Sequence, residues 1–407
     1  MAKGGTMRFS RTCVAAMTLL ATPAAALAQE QGRRNRDVFI ASGEEDPLSI
    51  GDEDVYIDVA PFVEFDAGWS TASRDALIGP GDDQRARIGR GWLFFDYGLG
   101  SDVTGLAVVN FSNIDDTPLQ YLWIDYQPTD RLTLRFGQQD ANFSMQQRMG
   151  SRPALFADVA ENGTLQAPAA VGVSILYGGD RFSIQAGVEG NDINDSPFGN
   201  GINLSGRATV APWMQGEDAV HLGLAVAASH DRRLPLSYAG SAGTGIVDAS
   251  PVKTDDFGPR GRSRSANAEA AATFGRFTLQ SEYTVLRADA TQRPAATLHG
   301  GYLGALFFLT GDHRSYSAAT GLFERVDPTT SLAQGGAGAV EVGARVGHLD
   351  LGDAEPEAGA QTSVAAIVNW YPTKRFRVTA THVRTSIDRR EREGTIGSTL
   401  LRASFVY

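Results

Sequence analysis

The sequence predicts an all-β fold: a 16-stranded transmembrane antiparallel β-barrel with an inward-folded third loop. Three observations carry this expectation. Apolar and polar residues alternate with period two along most of the chain after residue 54. Tight joins (Pro128-Thr129-Asp130, Gly178-Gly179-Asp180, Gly275, Pro372-Thr373) alternate with long polar stretches at 70–84, 190–200, 230–262 and 311–338, the arrangement of short turns at one rim and long loops at the other. The chain ends in an alternating strand, Leu401 to Tyr407, whose last residue is aromatic. Alternation alone also suits a soluble β-sandwich; mid-strand charges, strand lengths near those that cross a bilayer and the loop asymmetry favour the membrane barrel.

Composition narrows the function classes. The 407 residues are 42% hydrophobic and 20% charged, too apolar for a disordered chain. A net charge of −11 argues against a general nucleic-acid binder, and no nucleic-acid partner is expected. One cysteine excludes a disulfide framework. Lysine occurs only at Lys3, Lys253 and Lys374, so nearly all positive charge is arginine.

Residues 1–28 read as a signal peptide. Lys3, Arg8 and Arg11 precede a 16-residue apolar stretch, Cys13 to Ala28, that closes on Ala26-Leu27-Ala28. The stretch is short for a membrane anchor, which needs about 20 apolar residues. Cleavage is expected before Gln29; the mature chain then has no cysteine and, three cations fewer, a net charge of −14. Residues 29–54 form an acidic segment expected to be mobile, and 55–407 form the barrel.

Sixteen strands are expected at 55–69, 85–97, 104–111, 119–127, 132–138, 171–178, 181–189, 201–210, 218–229, 264–274, 276–287, 300–310, 339–349, 361–371, 374–386 and 397–407. In the first, Val55, Ile57, Phe65 and Trp69 share one parity, and Tyr56, Asp58, Glu64 and Asp66 the other. An even count lets both ends meet at one rim, and a barrel of this size encloses an aqueous channel, not a filled core.

Residues 139–170 are too long for a turn and carry Phe143, Met145, Met149, Leu155 and Phe156 with Arg148 and Arg152. Folding this segment into the lumen as a constriction shelters its apolar side chains. Packing at the mouth or against another subunit are the alternatives.

Parity places Arg135, Arg207, Arg276, Arg345, Arg375, Arg377 and Arg402 on the polar face, and Arg85 and Arg87 together at the start of the second strand. Arginine keeps its charge at any working pH and grips phosphate or carboxylate bidentately, so these residues other than Arg402, with Arg148 and Arg152, are the anion-path candidates. Asp58, Glu64, Asp66, Glu282 and Glu341 share that face, and a cation-preferring or general pore is the competing reading. Asp192-Ile193-Asn194-Asp195 could attract cations or hold a divalent ion, but a solvated loop is the simpler expectation.

Searches for enzymatic chemistry find nothing, and neither a catalytic residue nor a cofactor is expected. Ser174 lacks the second glycine of a nucleophile elbow, the six histidines are scattered, and no phosphate-binding fingerprint occurs. His221 reads as a lumen side chain. An adhesive barrel with a plugged lumen is the remaining class.

The chain resembles the phosphate-selective porin O and P family from about Arg85 to Tyr407. The resemblance rests on Arg85-Ala86-Arg87-Ile88-Gly89, Leu134-Arg135-Phe136-Gly137-Gln138, Gly206-Arg207-Ala208-Thr209-Val210-Ala211-Pro212, Phe308 to Tyr316, Phe323-Glu324-Arg325-Val326, Val340 to Arg345 with His348 to Leu351, and Asn369-Trp370-Tyr371-Pro372, in that order. It implies a 16-stranded barrel, a homotrimer in outer-membrane lipid, an inward third loop and a pore for small anions such as phosphate or polyphosphate, lined by arginines with lysines at its narrowest point. Two departures stand out. The lysine expected after the fifth strand is Gln139, followed by Asp140, and Gln166-Ala167-Pro168-Ala169-Ala170 lacks the family's arginine. With so few lysines, any phosphate site here must be built from arginine.

Overall fold

The computed structural model describes residues 49–406 except 53, 74–82, 113–114, 116–117, 195–200, 231–236, 248, 258–260, 290–293 and 391. The expected signal peptide, most of the acidic segment, Asp195 and Tyr407 lie outside the described residues. The barrel strands are β1 (Val55–Ala72), β2 (Asp83–Leu99), β3 (Val103–Asn110), β4 (Leu119–Thr129), β5 (Leu132–Gln139), β6 (Ala170–Gly178), β7 (Phe182–Glu189) and β8 (Ile202–Gln215). They continue with β9 (Asp218–His230), β10 (Arg262–Phe274), β11 (Phe277–Asp289), β12 (Ala296–Phe308), β13 (Ala339–Asp350), β14 (Ala360–Thr373), β15 (Phe376–Arg389) and β16 (Arg392–Val406). Each pairs antiparallel with its chain neighbours, and β16 closes on β1 from Ile396↔Ala72 to Val406↔Phe62. All sixteen expected strands are present, most within three residues of the expected bounds. Among the described residues, no helix is long and apolar enough to cross a membrane.

The alternation sorts cleanly into two faces. β9 reads exposed at Leu222, Leu224 and Val226 and buried at His221 and Ala225. Outward Leu224 and Val226 are 68% and 63% exposed, a large cost in water and a gain in hydrocarbon. Aromatic residues cluster outward at the rim of tight turns: Tyr177 against Phe182, Trp213 against Phe274, and Phe277 against Phe307, with centroids 5.9, 5.6 and 4.6 Å apart. This is the girdle expected where a barrel meets the bilayer interface. Turn glycines Gly216 and Gly275 take φ of +61° and +53°, a region that disfavours side chains.

Two connections depart from the expectation of solvated loops. Residues 309–338 do not belong to the long-loop rim. Because Phe307 pairs with Phe277, just after the Gly275 turn, the segment leaves the barrel at the tight-turn rim. Parity of the strand count, not loop length, decides the rim. The segment carries a two-residue hairpin, Tyr316–Ser317 with Leu322–Phe323, whose side chains pack on Met145, Met149, Leu155 and Phe156. The 230–262 stretch, where described, is packed too: Tyr238, Ala242, Val252 and Phe257 join Leu286, Leu298, Leu349 and Ile387 in one buried cluster. At the N-terminus, Ser49–Gly51 pair with Tyr56 to Asp58, so the end of the acidic segment is tied to β1.

Candidate functional site

β5 ends in a backbone that only glycine tolerates. Gly137 has φ +128°, and an added Cβ would lie 2.1 Å from the Leu122 carbonyl oxygen. Residues 140–169 follow, with one helical turn, α1 (Met145–Met149), capped by Ser144. This segment meets inner-face side chains of many strands. Asn142 N donates to Ser205 Oγ of β8 at 3.0 Å, Met145 N to Glu269 Oε2 of β10 at 3.1 Å, and Gln146 N to Glu282 Oε1 of β11 at 2.9 Å. Further along, it supplies carbonyl acceptors: Asp158 O to Arg345 Nη1 at 2.9 Å, Ala154 O to Arg377 Nη1 at 2.7 Å, Leu155 O to Asn369 Nδ2 at 3.1 Å and Ala157 O to Arg402 Nη1 at 2.5 Å. Charged hydrogen bonds of this kind are the stronger ones. The segment is therefore fastened to β8, β10, β11 and β13–β16.

The ten candidate arginines fall into three groups. Arg135 and Arg207 are buried and neutralised. Arg135 grips Asp125 with two bonds of 2.7 Å and lies 4.1 Å over the Trp123 ring. Arg207 meets Glu269 at 2.7 Å and reaches the Thr320 and Gly321 carbonyls of the turn-rim segment. Arg148, Arg345 and Arg377 have no carboxylate within ion-pair distance among the described residues. Arg152 lies in the loop with Arg148, its guanidinium 4.3 Å over Phe94. Arg85, Arg87, Arg276 and Arg375 sit at the ends of strands. Arg87 is 3.7 Å from Asp66 with its side chain 42% exposed. Arg276 and Arg375 precede β11 and β15, in the turns and not in the strands expected to hold them. Each turn accepts a backbone bond from the end of β12 or β16, Phe308 N to Arg276 O and Val406 N to Arg375 O, and Arg276 is exposed.

Burial acts on the loop charges. Asp140 is pushed up to about 6 by burial, against the pull of Arg148 and the Tyr121 hydroxyl, which donates to it at 3.0 Å. Arg148 is pushed down to about 9 by burial, with Arg135 and Arg207 adding to the shift. Arg152 is pushed down to about 9 by burial and Arg325. The guanidinium groups of Arg135 and Arg207 act on Arg148 electrostatically, and of the three only Arg148 lacks an ion-paired carboxylate among the described residues.

Sequence reading missed the inner wall of β1–β4. Ala60, Phe62, Phe94, Leu106, Val108 and Trp123 form a buried apolar cluster, flanked by Trp92 and Tyr121. Arg90, also missed, is held by Glu64 Oε2 at 2.5 Å and lies 5.7 Å over Trp92. The signal was present: 90, 92, 94 and 96 share the parity of Glu64's partners, but the aromatic residues resemble an outward face. A cavity of about 500 Å³ opens between this wall and residues 146–168, with Asp140 at its edge. No group of three metal-ligating side chains gathers among the described residues. Asp192 is used locally, accepting from Asn194 and from Gln138 Nε2 at 2.9 Å. His221 is a lumen side chain, between Tyr316 Oη at 2.6 Å and Glu269 at 3.1 Å.

Comparison with known proteins places this architecture. An uncharacterised protein of Caulobacter vibrioides is 30% identical over 231 residues, covering 51% of this chain and 44% of that protein, so the chain spans under half the length of the curated relative it matches. Among solved structures, OmpT of Vibrio cholerae expressed in the outer membrane superposes with TM-score 0.55 at 12% identity, over 88% of this chain and 100% of the other. An anion-selective porin from Comamonas acidovorans gives 0.53 at 10% identity over 86% and 100%. Pseudomonas putida OprB gives 0.54 at 13% identity over 86% and 94%. These likenesses establish the fold, that of outer-membrane porins. The family model described as phosphate-selective porin O and P matches residues 89–399, most of the length, and the chain belongs to that family of outer-membrane porins.

Proposed function

We propose that this porin passes small hydrophilic anions such as phosphate or polyphosphate by passive diffusion, with residues 139–170 folded into the lumen as the constriction. The observation that carries the reading is Arg148. It stands on α1 beside Arg135 and Arg207 and has no carboxylate within ion-pair distance among the described residues. Arg135 and Arg207 carry their own carboxylates, so the positive charge left over there is that of Arg148, which a passing anion can meet. Arg345 and Arg377 extend the same field along β13 and β15, spending their hydrogen bonds on carbonyls and an amide. With Gln139 where the family has lysine, arginine supplies the positive groups. The family description and the anion-selective Comamonas porin support the reading at the level of kind.

The mature protein is proposed to begin at Gln29 after signal cleavage and to work as a homotrimer in the outer membrane. A trimer form is known for OmpT of Vibrio cholerae. N-terminal sequencing and light scattering in detergent test the two statements.

A general or cation-preferring pore is the second reading. It is favoured by Glu189 and Glu282, buried on the inner face and bonded to neutral partners such as Asn203, Ser205, Asn267 and Tyr302. Reversal potential across a planar bilayer under a KCl gradient separates the readings. Anion preference, lowered several-fold by Arg148→Glu, is expected. Cation preference in the native protein would hand the pore to the carboxylates. Titrated phosphate then asks whether the arginines bind it: block indicates a site, free passage a general anion channel.

A further inference from the structure

The cavity beside β1–β4 has a lining that a phosphate pore does not need. Its wall carries Phe62, Trp92 and Phe94, mutually 5.9 to 6.4 Å apart and tilted by 56° to 72°, with Tyr121 beside them. Inorganic phosphate gains nothing from aromatic rings. The opposite side is rich in amides. Gln147 Oε1 and Gln166 Nε2, one acceptor and one donor, are buried there without a hydrogen-bond partner among the described residues. Asp140 adds a carboxylate, and Arg90 and Arg152 stand over the aromatic rings at 5.7 and 4.3 Å.

An aromatic wall facing unfilled amides, with Arg152 over Phe94 and Arg90, itself held by Glu64, over Trp92, matches one kind of solute. The C–H face of a sugar ring is apolar and lies flat on an aromatic face. Its hydroxyls project sideways, and each can both donate and accept, which suits one free carbonyl and one free NH₂. About 500 Å³ lies within the range of small-molecule sites. We propose that this cavity is a subsite for a sugar ring bearing an anionic group, such as a hexose phosphate or a hexuronic acid. The ring stacks on Trp92, and the hydroxyls bind Gln147 and Gln166. The anionic group lies toward Arg90 and Arg152, and this part rests on the anion reading above; the ring contacts do not.

The test is current block through the reconstituted full-length porin by three probes: glucose 6-phosphate, glucose and inorganic phosphate. Glucose 6-phosphate is expected to block at lower concentration than phosphate. Trp92→Ala should raise its half-blocking concentration about threefold to tenfold, with phosphate block unchanged, and Trp92→Phe should keep most of the native block. Equal block by glucose 6-phosphate and phosphate, or a Trp92→Ala effect equal on both, overturns the proposal. If the reversal potential shows cation preference, the anion reading fails and glucose alone tests the ring contacts: block lost in Trp92→Ala supports them, and no Trp92-dependent block overturns them. Should Trp92→Ala fail to assemble, Gln147→Leu decides by the same selective loss or its absence.

Discussion

Two stretches of inner wall treat the segment at 140–169 in opposite ways. Strands β8, β10, β11 and β13–β16 hold it with hydrogen bonds to its backbone. Strands β1–β4 present aromatic rings to it across an open cavity. The difference follows from chemistry. Backbone N–H and C=O groups brought out of water need partners, and charged side chains supply strong ones. An aromatic wall offers no such partners, and a cavity remains between it and the segment. On the proposed function, the polar wall would position the constriction and the aromatic wall would border the route.

The largest expected effect is therefore structural and on the polar wall. Arg314, from the turn-rim segment, donates to both Glu341 oxygens at 3.0 and 2.9 Å and to Pro153 O at 3.1 Å, with both charged side chains at most 1% exposed. Glu341→Leu strands the guanidinium and should cost about 3–5 kcal/mol, read as a lower thermal unfolding midpoint in detergent. The double substitution Arg314→Met with Glu341→Leu should recover most of it. Equal loss in single and double variants would show that packing, not an unpaired charge, is at stake.

The next effect is functional. Arg152 stacks on Phe94 at the border between the two walls. Arg152→Glu should lower anion preference several-fold in reversal potential. Unchanged selectivity there and in Arg148→Glu would remove the segment from the ion path.

How much of this could be read in the residues divides along the same line. All sixteen strands were legible because period two is imposed on every strand by the pleat. So was the lumen side of Arg135, Arg207, Arg345 and Arg377, since charge on the alternating parity can point only one way. The pairings were not legible: Arg207 meets Glu269 two strands away and Arg314 meets Glu341 across a connection, and neither is local in sequence. The aromatic inner wall was hidden because β2 and β3 are apolar on both parities. The rim of 309–338 was misread because length was weighed and strand parity was not.

A third prediction tests the border by pH. Asp140 faces the Tyr121 hydroxyl, the Gln147 amide and the fields of Arg148 and Arg135. Burial raises it from 3.8 to about 6, so it is neutral below that pH and charged above. Two consequences share a sign. Its contribution to stability is fully present below 3.8 and is lost as pH rises through about 6. Anion preference should rise as pH falls through about 6, because a carboxylate whose field offsets that of Arg148 is discharged. Asp140→Asn should remove the pH dependence and fix the pore in its acid behaviour. A profile identical to that of the native protein would place the titration elsewhere.

The smallest effect separates burial from bond geometry on a single strand. Arg131, at the turn before β5, lies 3.0 Å from Asp180, with the two side chains 52% and 85% exposed. Four residues along, Arg135 lies 2.7 Å from Asp125, at 10% and 9%. The chemistry is the same and the lengths are close. Water already serves the first pair, so its contribution is at most about 1 kcal/mol and falls with salt. The second pair is cut off from water, and removing one partner leaves the other charge uncompensated. Arg131→Ala should move neither the unfolding midpoint nor the reversal potential, while Arg135→Ala should lower the midpoint and leave Asp125 as an uncompensated negative charge on the inner face. Equal losses from both would mean that pairing itself, wherever it occurs, holds this barrel; unequal losses tie its stability to the pairs sealed within the wall.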